Sequence, residues 1–214
     1  IVLGLAAFVF LIELVVLYRY YKNLFTDEGY LTFTLPVKEE TILLSKTISG
    51  FLWYLITAVA VLILAGVGIL FAIRCYGQDW GDVFTGIGQA IKMFNTETEG
   101  YGPLYLFEGI LILIFGCTFN ILLGYVSITI GSIIAKKNKL LAAIGIYFAM
   151  CILFSIFSNV VGAVGLFNMD FASNLEASKM IAVVLLLVIL FFVAVSAIAY
   201  FVNVLLLKRK LNLA

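Results

Sequence analysis

Long apolar runs separated by short polar passages organise this chain. Ile1 to about Leu17, Ser49 to Ile73, Leu104 to Ala135, Leu140 to Phe167 and Met180 to Leu207 each approach or exceed the roughly 20 mostly apolar residues that carry a helix across a bilayer. They predict five transmembrane helices in an all-α, polytopic bundle. No fixed-period repeat, low-complexity tract or Pro-rich linker divides residues 1–214, which read as a single transmembrane domain. The third and fourth runs are longer than a crossing needs, which predicts tilt, kinks at Gly116, Gly124 or Gly145, or interfacial ends.

Two polar passages have a pattern of their own. From Gly81 to Phe94, the residues Val83, Phe84, Ile87, Ala90, Ile91 and Phe94 recur at helical spacing, with Asp82, Gln89 and Lys92 elsewhere on the wheel. This predicts a short amphipathic helix on the outer leaflet, either a plain surface connector or an element with a role there. Between Phe25 and Ser49, Pro36 suits the first turn of a helix, with Thr34 a possible cap and Glu39 and Glu40 near its positive end. Val37, Thr41, Leu44, Ile48 and Phe51 then predict one apolar stripe leading into the second crossing. The expected result is a short cytosolic helix packed on the bundle, with Lys38, Glu39 and Glu40 outward.

Composition agrees with a lipid setting. A chain that is 64% hydrophobic and 12% charged, with mean hydropathy +1.20, has too few polar groups to cover a globule in water. The net charge of +1 gives no broad basic field, so nucleic acid is set aside as a partner. Histidine is absent, which removes the commonest general acid/base and a common zinc ligand. Cys75, Cys117 and Cys151 are widely spaced without a C-x-x-C, and read as small apolar residues. No cofactor is implied.

Basic residues give the orientation. Arg19, Lys22, Lys38, Lys46, Lys136, Lys137, Lys139, Lys208, Arg209 and Lys210 fall on one side of the predicted crossings, and Arg74, Lys92 and Lys179 on the other. The larger set marks the cytoplasmic face, so the first crossing runs inward and the C-terminus is cytoplasmic. Starting on the outside, in apolar sequence and without Met, the chain is expected to lack a leading helix, for six crossings in the intact protein. Glu13 and the following polar segment make a cleaved signal peptide a poor alternative. Tyr18, Arg19, Tyr20, Tyr21 and Lys22 read as an interfacial anchor.

The string DEGYLTFTLPVKEETILLSK, residues 27–46, closely resembles the cytosolic loop of bacterial type-2 ATP-binding-cassette permeases, especially the short-looped kind of Gram-positive bacteria. The ending LLLKRKLNL is similar to the basic C-terminus of that group. The resemblance implies an exporter permease of the bacterial plasma membrane. Its partners would be a second permease, identical or not, and two cytosolic ATPase subunits. Pro36, Val37, Lys38, Glu39, Glu40 and Thr41 match the coupling helix, and Asp27, Glu28 and Gly29 match the acidic turn before it. The chain holds no G-x-x-x-x-G-K-[ST], so hydrolysis is expected only in the partner. The cargo implied is an unidentified amphiphile, peptide or drug-like molecule.

Within the membrane, Glu13 and Glu108 stand out because a carboxylate in lipid must face a partner, a cavity or the interface. Glu108 lies close to a helix end and fits an interfacial position. Glu13 has Arg19 within two turns, for a structural pair, snorkelling or a translocation role. Asn120, Asn159 and Asn203 are candidates for hydrogen bonds between helices, and Gly162, Ala163 and Gly165, with Ser155 and Ser158, for close helix approach or a permease–permease seam. Two other readings stay open. One is a non-transporting interaction or peptide-immunity protein that uses the Gly81 to Phe94 helix. The other is an intramembrane enzyme, which would need Glu13 and Glu108 to meet across helices.

Overall fold

The structure is a computed structural model describing residues 2–26, 29, 37–77, 80–135, 138–167 and 177–211; within these, the side chains at 2, 76, 80, 82, 160–167, 177 and 209–211 are left aside. Six helices are described: α1 (Val2–Phe25), α2 (Glu39–Tyr76), α3 (Trp80–Glu97), α4 (Gly102–Ile134), α5 (Lys139–Phe167) and α6 (Ala177–Leu211). All but α3 are long and apolar enough to cross a membrane. The chain is thus a multi-pass helical membrane protein. Its exposed Leu, Ile, Val and Phe side chains suit the lipid that would surround them.

Helix α4 is the post around which the others stand. Every residue from Ile121 to Thr129 is buried, whereas most of α5 and the upper part of α2 lie open. Helices α5 and α6 pack along its length, and α1 and α2 lean on its C-terminal half. Apolar burial drives little association in lipid, so close backbone approach and polar bonds carry more of the specificity. Gly131 supplies the closest approach. A Cβ there would lie 2.6 Å from the Ala143 amide nitrogen of α5 and 2.7 Å from its Cα. Gly124 is the corresponding gap toward α1, filled by Leu17. Helices α4 and α5 run unbroken through Gly116, Gly124 and Gly145.

Helix α1 presents Val16, Tyr20 and Leu24, four residues apart, to the core. Arg19, Lys22, Lys38, Lys46, Lys139 and Lys208 lie toward one end of the bundle, called here the basic end. Arg74, Lys92 and Lys179 lie toward the other.

Helix α2 differs from expectation in two ways. No separate short helix precedes the second crossing: residues 39–76 are one continuous helix, rising about 57 Å at 1.5 Å per residue. No glycine or proline interrupts its first eleven residues, and it ends only where Gly77 takes a left-handed φ of 63° and its N–H bonds the Ile73 carbonyl. The second difference is the face. Ile42, Leu43, Thr47 and Gly50 are buried, while Val37, Leu44 and Ile48 are exposed. Of the apolar stripe inferred from spacing, Val37, Thr41, Leu44 and Ile48 face outward and Phe51 packs on the core, because Gly50 can come against Tyr125 and Ile121 where a larger side chain cannot.

Helix α3 is exposed along nearly its whole length, with Phe84, Ile87, Ile91 and Phe94 on one open face. It returns through Thr98, Glu99 and Gly100, where Glu99 (φ 49°) and Gly100 (φ 88°) turn the chain and Tyr101 N–H bonds the Thr98 carbonyl at 2.8 Å.

Gly131→Val would drive a side chain into the α5 backbone and is expected to destabilise the bundle by about 1–3 kcal/mol. Gly145→Val, where nothing lies within 4 Å of the added Cβ, should change stability far less. Thermal unfolding of the two variants in one detergent tests the pair.

Candidate functional site

Three polar arrangements interrupt the apolar bundle. The first joins four helices in the basic half. Tyr20 of α1 is 1% exposed and stacks on Tyr125 of α4, with ring centroids 3.7 Å apart and planes 8° from parallel. Its hydroxyl lies 3.3 Å from Thr129 Oγ1, which lies 3.2 Å from Asn203 Oδ1 on α6. The Asn203 amide then donates to the Leu122 carbonyl at 3.3 Å. Donation from Tyr20 to Thr129, and from Thr129 to Asn203, satisfies the series in one direction, and Thr129 also lies 2.8 Å from the Tyr125 carbonyl. Tyr125 completes the knot by donating to the Lys46 carbonyl of α2 at 3.1 Å. In this knot Tyr20 is a core residue, which corrects the interfacial-anchor reading for that position.

The second lies at the head of α2. Lys208 Nζ of α6 sits 2.9 Å from Glu40 Oε1, and the Tyr200 hydroxyl donates to the Glu40 carbonyl at 3.0 Å. Both charged side chains are about half exposed, so the pair positions more than it stabilises. Lys38 and Glu40 are exposed and Glu39 is half-buried. Glu40, expected to face outward, does so while paired with Lys208 of α6. Val37 and Thr41 are exposed beside it. Gly29 donates its N–H to the Thr26 carbonyl at 2.9 Å, in a turn just after α1. Asp27, Glu28 and Pro36 lie outside the described residues.

The third is deep in the membrane half of α1. The Tyr147 hydroxyl of α5 donates to Glu13 Oε1 at 2.6 Å and lies 3.0 Å from Asn120 Oδ1 on α4. Glu13 and Tyr147 line a cleft of about 400 Å³ between α1 and α5, floored by Gly124, Ser127 and Ile128 of α4. Glu13 does not pair with Arg19, whose guanidinium lies 5.8 Å from the centre of the Trp53 ring. A larger cleft of about 610 Å³, formed by α4, α5 and α6, has only apolar side chains, among them Phe119, Met150, Phe154 and Phe191.

The remaining candidates part company. Glu108, six residues past the start of α4, is 5% exposed, and its Oε2 has no hydrogen-bond partner among the described residues. Asn120 stands twelve residues further along α4, about 18 Å of rise, so the carboxylates of Glu13 and Glu108 do not share a site. Asn159 is exposed and donates to the Ser155 carbonyl of its own helix at 2.7 Å, with no bond to another helix among the described residues. The side chains of Gly162, Ala163 and Gly165 belong to the part left aside. At the end opposite the basic one, Ser178 donates to Glu99 Oε2 at 2.8 Å and Tyr105 to the Ser178 carbonyl at 2.6 Å, tying the α3–α4 turn to α6. No group of three or more metal-ligating side chains occurs among the described residues.

Tyr147 and Thr129 were not singled out by sequence reasoning. A hydroxyl in the middle of an apolar run was the available signal for Tyr147. For Tyr20 it was the four-residue spacing with Val16 and Leu24. Compared with family models, curated proteins and solved structures, the chain matches none.

Asn203→Ala is expected to cost about 1–2 kcal/mol, since it strands Thr129 and unties α6 from α4. Asn159→Ala should stay within about 0.5 kcal/mol. Denaturant unfolding of both variants in mixed micelles measures the difference.

Proposed function

We propose that this chain is the membrane-spanning permease subunit of an ATP-driven exporter, working with a separate cytosolic ATPase and a second permease in a bacterial plasma membrane. The observation that carries the reading is the head of α2. The string that resembles a coupling segment ends in a helix of 38 residues that crosses without a break, so a displacement at Lys38 and Glu39 would pass along a stiff rod rather than through a hinge. Lys208, Tyr200 and Tyr125 fasten that rod to α6 and α4. A push from an ATPase at the head would pass along α2 to α4 and α6, shifting packed helices between two arrangements. In this reading the basic end is cytoplasmic, with Lys208 of α6 beside the head of α2. The hydrolytic chemistry belongs to the partner, and the cargo is an amphiphile, peptide or drug-like molecule.

A second reading has its own observation. Helix α3 exposes an apolar face while resting on the bundle chiefly through its C-terminal turn, where Phe94 meets Gly102. A non-transporting protein that captures a peptide at the outer leaflet would present such a helix.

The test is co-purification from native membranes in mild detergent, followed by an ATPase assay. Wild type should bring down an ATP-hydrolysing partner, and a Lys38→Glu, Glu39→Lys double variant should lose it at unchanged thermal stability, because the Glu40–Lys208 pair is left intact. Glu40→Lys should weaken the complex, and adding Lys208→Glu should restore it by reversing the pair. Absence of any ATPase with wild type would overturn the exporter reading and leave the outer-leaflet one.

A further inference from the structure

The geometry points to the α1–α5 cleft as a binding site for a membrane-dissolved organic cation with a bulky apolar body. This inference goes beyond the exporter reading and does not depend on it, because it concerns binding alone. Glu13 stands halfway along α1, and among the described residues no cation pairs with it. The nearest basic residue on its own helix, Arg19, is about 9 Å further along and is engaged over Trp53. A carboxylate at that depth is costly without a partner. It is nevertheless aimed and held: Tyr147 donates to one of its oxygens at 2.6 Å, the shorter of that hydroxyl's two acceptor contacts, the other being Asn120 Oδ1 at 3.0 Å.

The space in front of Glu13 has the size and lining of a small-molecule site. About 400 Å³ lies within the usual range for ligand pockets. Phe10, Tyr18 and Phe148 supply aromatic walls, against which a positive charge is attracted as well as an apolar surface. The charged contribution is thus one carboxylate in a cleft whose other polar side chains, Tyr18, Ser127 and Tyr147, are neutral, which selects a single positive charge on an apolar body. A zwitterionic headgroup fits poorly, since its phosphate would meet a carboxylate that no cation pairs with among the described residues. A peptide with several charges would leave most of them unpaired in lipid.

The full chain in phosphatidylcholine nanodiscs, with radiolabelled tetraphenylphosphonium as probe, tests this by equilibrium dialysis against empty nanodiscs. Saturable binding at one site per chain is expected, weakened about ten-fold or more in Glu13→Gln. Tyr147→Phe, which removes only the hydroxyl, should weaken it several-fold. Ile144→Trp, which fills the cleft while leaving the carboxylate, should abolish it. Tetraphenylborate, of the same shape and opposite charge, should show no saturable binding. Thermal unfolding of each variant separates loss of the site from loss of the fold, and Tyr147→Phe serves if Glu13→Gln does not fold. No saturable binding over empty discs, equal binding by folded wild type and Glu13→Gln, or equal binding of the anion would each overturn the proposal.

Discussion

Everything in this bundle hangs on the stretch of α4 from Ile121 to Thr129 being enclosed by protein. A helix in lipid can leave its side chains facing hydrocarbon at little cost, so there is no general reason to surround it. What surrounds α4 is specific. Gly131 admits the α5 backbone, Gly124 admits Leu17, and Tyr20, Asn203 and Lys46 bring α1, α6 and α2 to hydroxyls and carbonyls that α4 presents. Remove those contacts and the remaining surfaces are interchangeable with lipid tails. The polar knot therefore sets which helices are neighbours, even though each of its bonds is modest in strength.

The two clefts show how the same helices produce different chemical environments. On the α5–α6 side, Phe119, Phe154, Phe191 and Phe192 form a chain of rings, with Phe119 and Phe154 centred 4.8 Å apart, and no polar side chain enters. On the α1–α5 side, one carboxylate, the Tyr18 and Tyr147 phenols and the Ser127 hydroxyl interrupt a comparable surface. The difference arises from helix α1, which contributes Glu13 where α6 contributes only apolar groups. Selectivity for charge in this protein thus resides in a single helix, while the aromatic side offers shape and area alone.

Much of the architecture was legible in the sequence, and the reasons are physical. Each of the five apolar runs must satisfy its backbone internally if it is to cross, so length and hydropathy suffice to find it. The amphipathic pattern from Gly81 to Phe94 was equally direct. Side-chain placement was harder. Of the stripe from Val37 to Phe51, only Phe51 reaches the core, because in a lipid setting apolar residues lie outside as readily as inside, and periodicity cannot separate the two. Tyr20 was read with its neighbours as an anchor for the same reason. Asn203 and Asn159 are alike in sequence, yet one sits among hydroxyls from α1 and α4 and the other faces outward. Only the rotation of each helix about its axis distinguishes them, and composition carries no record of that angle.

The unbroken length of α2 has a consequence for the surrounding bilayer. Its exposed apolar side chains extend from Leu44 to Phe71, about 40 Å of helix, against a hydrocarbon layer of about 30 Å. A stiff rod of that length meets a thin membrane by leaning and a thick one by straightening. Its head is fastened to α6 through Glu40 and Lys208, so a change in lean is also a change in the angle at which the head is offered to the water phase. Lipid thickness thereby becomes a mechanical input to the protein, one that sterol-like stiffeners or longer acyl chains would adjust without touching a single side chain.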